Sequence, residues 1–268
     1  YDEAYKKHGD ATAIINTTPC GMYPNIGTSA IDLSRFENVK SVTDAVYNPL
    51  SSALVISARE RGINATGGLY MLVSQAAYAV EKFTGGSISA DKTEEVYREI
   101  LRDKKNIVLI GMPGCGKTTL GKISADRLHK EFIDTDAEII KRINMPISEY
   151  FAKHGEESFR KLESEVIKEI SACRSSVIAT GGGAVLNPTN ISLLKENGTV
   201  IFIDRPLEKL VTTADRPLSS SRELLEKRYK ERYGLYCAAA DIKIDAVNEI
   251  EQNVKNIEEV FLNENSCN

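Results

Sequence analysis

The segment Gly111-Met112-Pro113-Gly114-Cys115-Gly116-Lys117-Thr118 fits the phosphate-cradling pattern G-x-x-x-x-G-K-[ST], and it directly follows the apolar run Ile107-Val108-Leu109-Ile110. That run reads as a buried strand, and beyond the loop Leu120, Ile123, Ser124 and Leu128 keep a helical apolar spacing. Strand, glycine loop and helix in this order place backbone N–H groups at a helix N-terminus, where they point at phosphate. With glycine near average usage, four such fixed positions match by accident on the order of once in a hundred chains of this length. The chain is therefore expected to bind a nucleoside triphosphate.

The rest of the second half supports a parallel sheet around that loop. Ile107 to Ile110, Phe132-Ile133, Val177 to Ala179, Val200 to Ile203 and Ile242 to Ile244 read as strands separated by helical stretches. Such alternation gives an α/β fold, a doubly wound parallel sheet wrapped by helices. In the first half, Ala13-Ile14-Ile15 and Val42 to Val46 read as strands, with helices over Ser51 to Arg61 and Leu69 to Phe83. The polar stretch Asp103-Lys104-Lys105-Asn106 separates the helical pattern Glu94 to Leu101 from the strand at Ile107. Two domains follow, residues 1–103 and 104–268, without a Gly/Ser-rich or Pro-rich linker. The first is short for a complete doubly wound domain.

Charge narrows the substrate. With 34 Lys+Arg against 38 Asp+Glu the net charge is -4, which offers no basic field to nucleic acid or an anionic membrane. A small molecule is the expected partner. No apolar run is long enough to span a bilayer, and the five cysteines form no C-x-x-C pair, which fits a cytoplasmic chain without structural zinc or disulfides. Position 1 is Tyr rather than Met, so the sequence reads as a piece of a longer product.

Phosphoryl transfer is mostly positioning plus cations around the moving phosphate. Lys117 supplies the first cation, Thr118 can place its hydroxyl on Mg²⁺, and a carboxylate from a neighbouring strand end completes the metal shell. Asp134 and Asp136, in Phe132-Ile133-Asp134-Thr135-Asp136, are the candidates: alternate spacing lets one face metal and the other a substrate hydroxyl. Asp136 as a plain helix N-cap is the competing reading. The run Thr180-Gly181-Gly182-Gly183 follows another strand and leaves amides open to close approach by a ligand. Arg160 with Glu163, Arg216 in Asp215-Arg216-Pro217, and Arg232 in Arg232-Tyr233-Gly234-Leu235-Tyr236 complete the set. Taken singly, each arginine reads as a solvated surface charge; Thr212 to Arg222 reads as a polar lid. Cys115, inside the loop, reads as inert unless a helix N-terminus lowers its pKa for a redox role.

In order and spacing these motifs resemble the shikimate kinase family over residues 104 to 264. The resemblance implies a P-loop kinase fold with a lid and transfer of the ATP γ-phosphoryl group to the 3-hydroxyl of shikimate. It implies that Gly111, Gly114, Cys115, Gly116, Lys117, Thr118 and Thr119 hold ATP, with Thr118 and Asp134 serving Mg²⁺. Asp136 would hydrogen-bond the accepting hydroxyl as base or orienter, and Arg216 would close over the phosphates. Arg160 and Arg232 would hold the shikimate carboxylate, Glu163 would fix those arginines, and the Gly181, Gly182 and Gly183 amides would meet substrate hydroxyls. Lys209 stands where many members place an arginine near adenine. Two rivals remain: a P-loop kinase for another small polyol such as gluconate, and a nucleotide-binding module without turnover.

In the first half, Asn16-Thr17-Thr18-Pro19-Cys20-Gly21-Met22, Asp44, Tyr47-Asn48-Pro49 and Gly68 to Ala76 resemble the C-terminal part of the shikimate dehydrogenase family over about residues 10 to 102. This implies a partial Rossmann-like domain in which Asn16 to Met22 and Gly68 to Leu72 line an NADP site and Gln75 reaches toward shikimate. Ser52-Ala53 replaces the Thr-Pro frequent in that family. The family's catalytic lysine and aspartate and its glycine-rich dinucleotide loop precede the matched stretch. The expectation is a monomeric kinase domain joined to an incomplete dehydrogenase without dehydrogenase turnover, NADP belonging to a longer bifunctional parent.

Overall fold

The computed structural model describes residues 2–210, 222–246 and 249–264. Two compact units result: Tyr1–Lys104 with Lys195–Asn197, and Lys105–Leu194 with Gly198–Asn268. The first contains α1 (Asp2–His8), β1 (Ala13–Asn16), β2 (Ser41–Asp44), α2 (Ala53–Glu60), β3 (Asn64–Thr66), α3 (Leu69–Thr84) and α4 (Ala90–Lys104). Its strands form a parallel sheet in the order β1-β2-β3. Leu33, Val42, Leu54 and Ala58 make a small core, while Ile15 on β1 is 71% exposed. Neither β3 nor α1 is legible in the sequence: Asn-Ala-Thr carries no apolar run, and α1 buries no residue.

Buried Asp44 explains where β2 stops. Its carboxylate accepts from Asn16 Nδ2 at 2.9 Å, from Val46 N at 3.0 Å and from Ser52 Oγ. Capture of the Val46 amide turns the chain out of the ladder, so the strand ends two residues before the expected Val46. Ser52 also accepts from Val55 N, capping α2 so that the helix starts at Ala53 rather than Ser51.

The second unit holds β4 (Asn106–Ile110), α5 (Lys117–Arg127), β5 (Glu131–Asp134), α6 (Thr135–Ile143), α7 (Ile147–Ile170) and β6 (Ser176–Ala179). It continues through α8 (Pro188–Asn197), whose residues Lys195–Asn197 are grouped with the first unit, then β7 (Gly198–Asp204), α9 (Arg222–Ala239), β8 (Ile242–Asp245) and α10 (Ile250–Glu264). The sheet is parallel throughout, in the order β5-β6-β4-β7-β8. All five residues of central β4 are buried because helices cover both faces. Asn106 is its first residue rather than part of a linker: Nδ2 donates to Cys173 O at 2.8 Å and Oδ1 accepts from Ser176 N at 2.9 Å. All five expected strands of this half are present.

Strand order positions the site. The chain passes from β4 outward to β5, returns to β6, then crosses to β7 on the other side of β4, so direction reverses beside β4. Ligands of open α/β sheets bind at the carboxyl ends of strands at such a reversal. Pairing of Leu109 and Asp134 with Ala179, and of Ile110 with Phe202, brings those ends level.

Close approach of α5 to the sheet depends on Gly121, where an added Cβ would lie 2.6 Å from Phe132 Cε2 and 3.3 Å from Leu109 Cδ1. Gly121→Val is expected to cost about 1–3 kcal/mol by overpacking. Urea unfolding would then show a lower midpoint with the slope unchanged; an unchanged midpoint would mean the Phe132 ring yields freely.

Candidate active site

The loop after β4 wraps through three glycines with positive φ, Gly111 at 149°, Gly114 at 81° and Gly116 at 102°. Side chains rarely adopt these angles, and Gly116 directly precedes the first residue of α5. Lys117 is buried, and its Nζ donates to Gly111 O at 2.8 Å and Met112 O at 3.1 Å, so the ammonium lies under the loop. Cys115 Sγ is 3.7 Å from that ammonium and 1% exposed, while Thr119 is exposed. The Cys115 side chain thus packs inward and leaves backbone to face a ligand.

Asp134 closes β5 and caps α6: Oδ1 accepts from Asp136 N at 3.0 Å and Ala137 N at 3.3 Å. Its other oxygen accepts from Thr118 Oγ1 at 2.8 Å. The cap is therefore Asp134, and the competing reading of Asp136 as N-cap fails. Asp136 stands in the first turn of α6, where the positive end of the helix dipole favours a carboxylate. Among the described residues no group of three or more His, Cys, Asp or Glu is placed to hold a metal. Magnesium does not need one, since it keeps waters and binds through one or two carboxylates plus substrate phosphates. The adjoining hydroxyl and carboxylate of Thr118 and Asp134 suit it.

The three glycines after β6 each meet different polar side chains. A Cβ on Gly181 would lie 2.6 Å from Asp136 Oδ1 and 2.9 Å from Glu163 Oε1. The Gly182 carbonyl accepts from Arg232 Nη1 at 3.0 Å, and a Cβ there would fall 2.9 Å from the Pro113 ring of the phosphate loop. On Gly183 a Cβ would fall 2.0 Å from Arg160 Nη1. This run of glycines is thus the floor on which Asp136, Arg232 and Arg160 converge.

One expectation needs correcting and another sharpening. The Gly181 amide is not open to substrate: it donates to Thr135 Oγ1 at 2.8 Å. Glu163 bonds directly to Arg160 and reaches Arg232 through charge alone. Its Oε2 accepts from Arg160 Nη1 at 2.8 Å, and among the described residues no ion pair joins it to Arg232, which rests on the Gly182 carbonyl instead. Burial pushes the Glu163 carboxyl above its ordinary range while the Arg160 guanidinium pulls it back.

The Shikimate kinase family description matches residues 113–261. A shikimate kinase of Clostridium botulinum (strain Eklund 17B / Type B) is 45% identical over 164 residues, 60% of this chain and 99% of that protein. The chain belongs to the shikimate kinase family. Among solved structures, shikimate kinase from Acinetobacter baumannii in complex with shikimate superposes with a TM-score of 0.59 at 31% identity, over 62% of this chain and 98% of that one. A chorismate mutase/shikimate 5-dehydrogenase fusion protein from Clostridium acetobutylicum aligns over 37% of this chain and 36% of its own, 39% identical, with a TM-score of 0.35.

As a shikimate kinase the chain uses ATP as co-substrate. Arg216 and the polar stretch 212–221 lie outside the described residues. Lys209 is exposed in a single 3₁₀ turn, Leu207–Lys209. No described helix is long and apolar enough to cross a membrane. Sequence reasoning missed two side chains that hold the glycine loop, Thr135 and Tyr236, although both stand inside motifs it had singled out.

Gly183→Ala tests the floor. The methyl group meets the Arg160 guanidinium, which has to shift, and because the same Nη1 pairs with buried Glu163 the shift also costs stability. With Arg160 as a carboxylate ligand, loss of one charge-assisted contact predicts a shikimate KM raised about 10–100-fold, accompanied by a lower Tm. Steady-state kinetics and a melting curve check it; an unchanged KM would remove Arg160 from acceptor binding.

Proposed function

We propose that the second unit transfers the ATP γ-phosphoryl group in line to the 3-hydroxyl of shikimate, with the kinase domain spanning residues 104–268 and acting as a cytoplasmic monomer. One observation carries the residue assignment. Gly181, Gly182 and Gly183 touch Asp136, Arg232 and Arg160 in turn, while Gly182 also abuts Pro113 of the phosphate loop. A carboxylated polyol seated on that floor has its acid end at the two guanidinium groups and a hydroxyl toward Asp136.

In this reading the amides of Gly114 to Thr119 cradle the phosphates and Lys117 moves from the loop carbonyls to the β/γ-phosphates. Asp136 orients the attacking hydroxyl and takes its proton at a carboxylate oxygen. Arg160, braced by Glu163, and Arg232 bind the carboxylate through planar forks. Thr118 and Asp134 would hold Mg²⁺, which when bound neutralises phosphate charge. Arg216 would cover the same phosphates.

The first unit, residues 1–103, is proposed as part of a shikimate dehydrogenase NADP-binding domain. Asn16 to Met22 and Gly68 to Leu72 follow the carboxyl ends of β1 and β3, where dinucleotides sit in such sheets. Exposed Met22, Tyr70 and Met71 provide the apolar surface on which a nicotinamide ring rests.

The test is an ADP-release assay of the whole chain with MgATP and shikimate, quinate, gluconate or no acceptor. Release that requires shikimate is expected. Release indifferent to the acceptor would sink the assignment of Arg160 and Arg232, and none despite ATP binding would favour a module without turnover.

A further inference from the structure

Arg232 shares its acceptor with a second donor. Tyr236 Oη donates to the Gly182 carbonyl at 2.6 Å, and Arg232 Nη1 donates to the same oxygen at 3.0 Å. The two residues are four apart on α9, which puts them on one helix face. The Tyr236 side chain is fully buried, with its ring stacked on Phe202 at 5.2 Å between centroids and 17° between planes. Packing of that kind leaves the hydroxyl one position to occupy. Burial also pushes the phenol up, so it stays a neutral donor at any working pH.

A carbonyl oxygen has two lone pairs, so both donors fit at once. Conflict begins when Arg232 has to serve a substrate carboxylate. A guanidinium that turns its fork to an acid loosens its hold on Gly182 O, and a partly buried carbonyl that loses its donors is disfavoured. With a second donor already in place, the arginine can leave without orphaning the carbonyl.

We infer that Tyr236 is a positioning residue for acceptor recognition: it secures the Gly182 carbonyl so that the Arg232 guanidinium is released to the acceptor's carboxylate. The inference rests on the reading of Arg232 as a carboxylate ligand. Thr135 holds the preceding amide of the same loop, so removing the Tyr236 hydroxyl frees one carbonyl rather than the whole loop.

Tyr236→Phe removes that hydroxyl and keeps the ring stack. Calorimetric titration of the full chain with shikimate and, separately, with MgATP would be paired with steady-state kinetics, in wild-type and Arg232→Lys backgrounds. Expected is a shikimate Kd and KM raised about tenfold, the effect of roughly one hydrogen bond, with MgATP affinity and kcat within about threefold. In the Arg232→Lys background the further Tyr236→Phe change should alter shikimate affinity less than about twofold, because the two residues act as a unit. Unchanged shikimate affinity in Tyr236→Phe would overturn the inference. So would an equal loss in the lysine background, a parallel weakening of both ligands, or failure of the variant to fold, each of which makes Tyr236 an anchor of the loop alone. Wild-type chain that binds MgATP but no shikimate would instead overturn the acceptor reading, and this inference with it.

Discussion

Asp136→Asn is expected to lower kcat about 10²–10⁴-fold while MgATP affinity stays within about threefold. Asparagine keeps the size of the side chain and its place against Gly181, so the fold and the floor survive. In the proposed role, what goes is the charge that orients the attacking hydroxyl and the oxygen that receives its proton. Asp134 cannot substitute, because one of its oxygens caps α6 and the other holds Thr118. A fall confined to kcat marks an interaction made in the transition state, whereas a rise in KM alone would mark ground-state binding. Stopped-flow or steady-state kinetics with a parallel ATP titration measures both. A kcat within threefold of wild type would remove Asp136 from the chemistry and favour the non-catalytic rival.

Lys117→Met should be comparably damaging, with a loss of about 10²–10³-fold in kcat and a weaker effect on ATP affinity. Methionine fills the buried space under the loop without the ammonium, so in the proposed role the lost term is the cation on the migrating phosphoryl group rather than packing. Two backbone carbonyls, of Gly111 and Met112, lose their donor in the variant. Some loss of stability is therefore expected, and a melting curve must accompany the kinetics. Equal losses in ATP affinity and Tm with kcat retained would show that Lys117 serves the loop and not the transfer.

Much of the second unit is legible in the sequence because its signals are contiguous. A strand buried on both faces has to be an unbroken apolar run, and Ile107 to Ile110 is one. A loop of positive φ needs glycines at fixed positions, and Gly111, Gly114 and Gly116 supply them. The first unit was harder to read. Its strands are short and half exposed, β3 carries no hydrophobic pattern, and the end of β2 depends on a side chain, Asp44, that captures the Val46 amide.

Local chemistry by itself thus determined where the glycine loop lies, which carboxylates follow β5 and which glycines follow β6. Only the tertiary structure decided what those groups do to one another. It showed that Asp134 and not Asp136 caps the helix, that Thr135 uses the Gly181 amide, and that Tyr236 and Arg232 share one carbonyl of a loop about fifty residues away. The physical reason is that a hydrogen bond or a close approach is set by where helices and strands dock. Docking depends on side-chain packing across the whole core, which no stretch of neighbouring residues encodes alone.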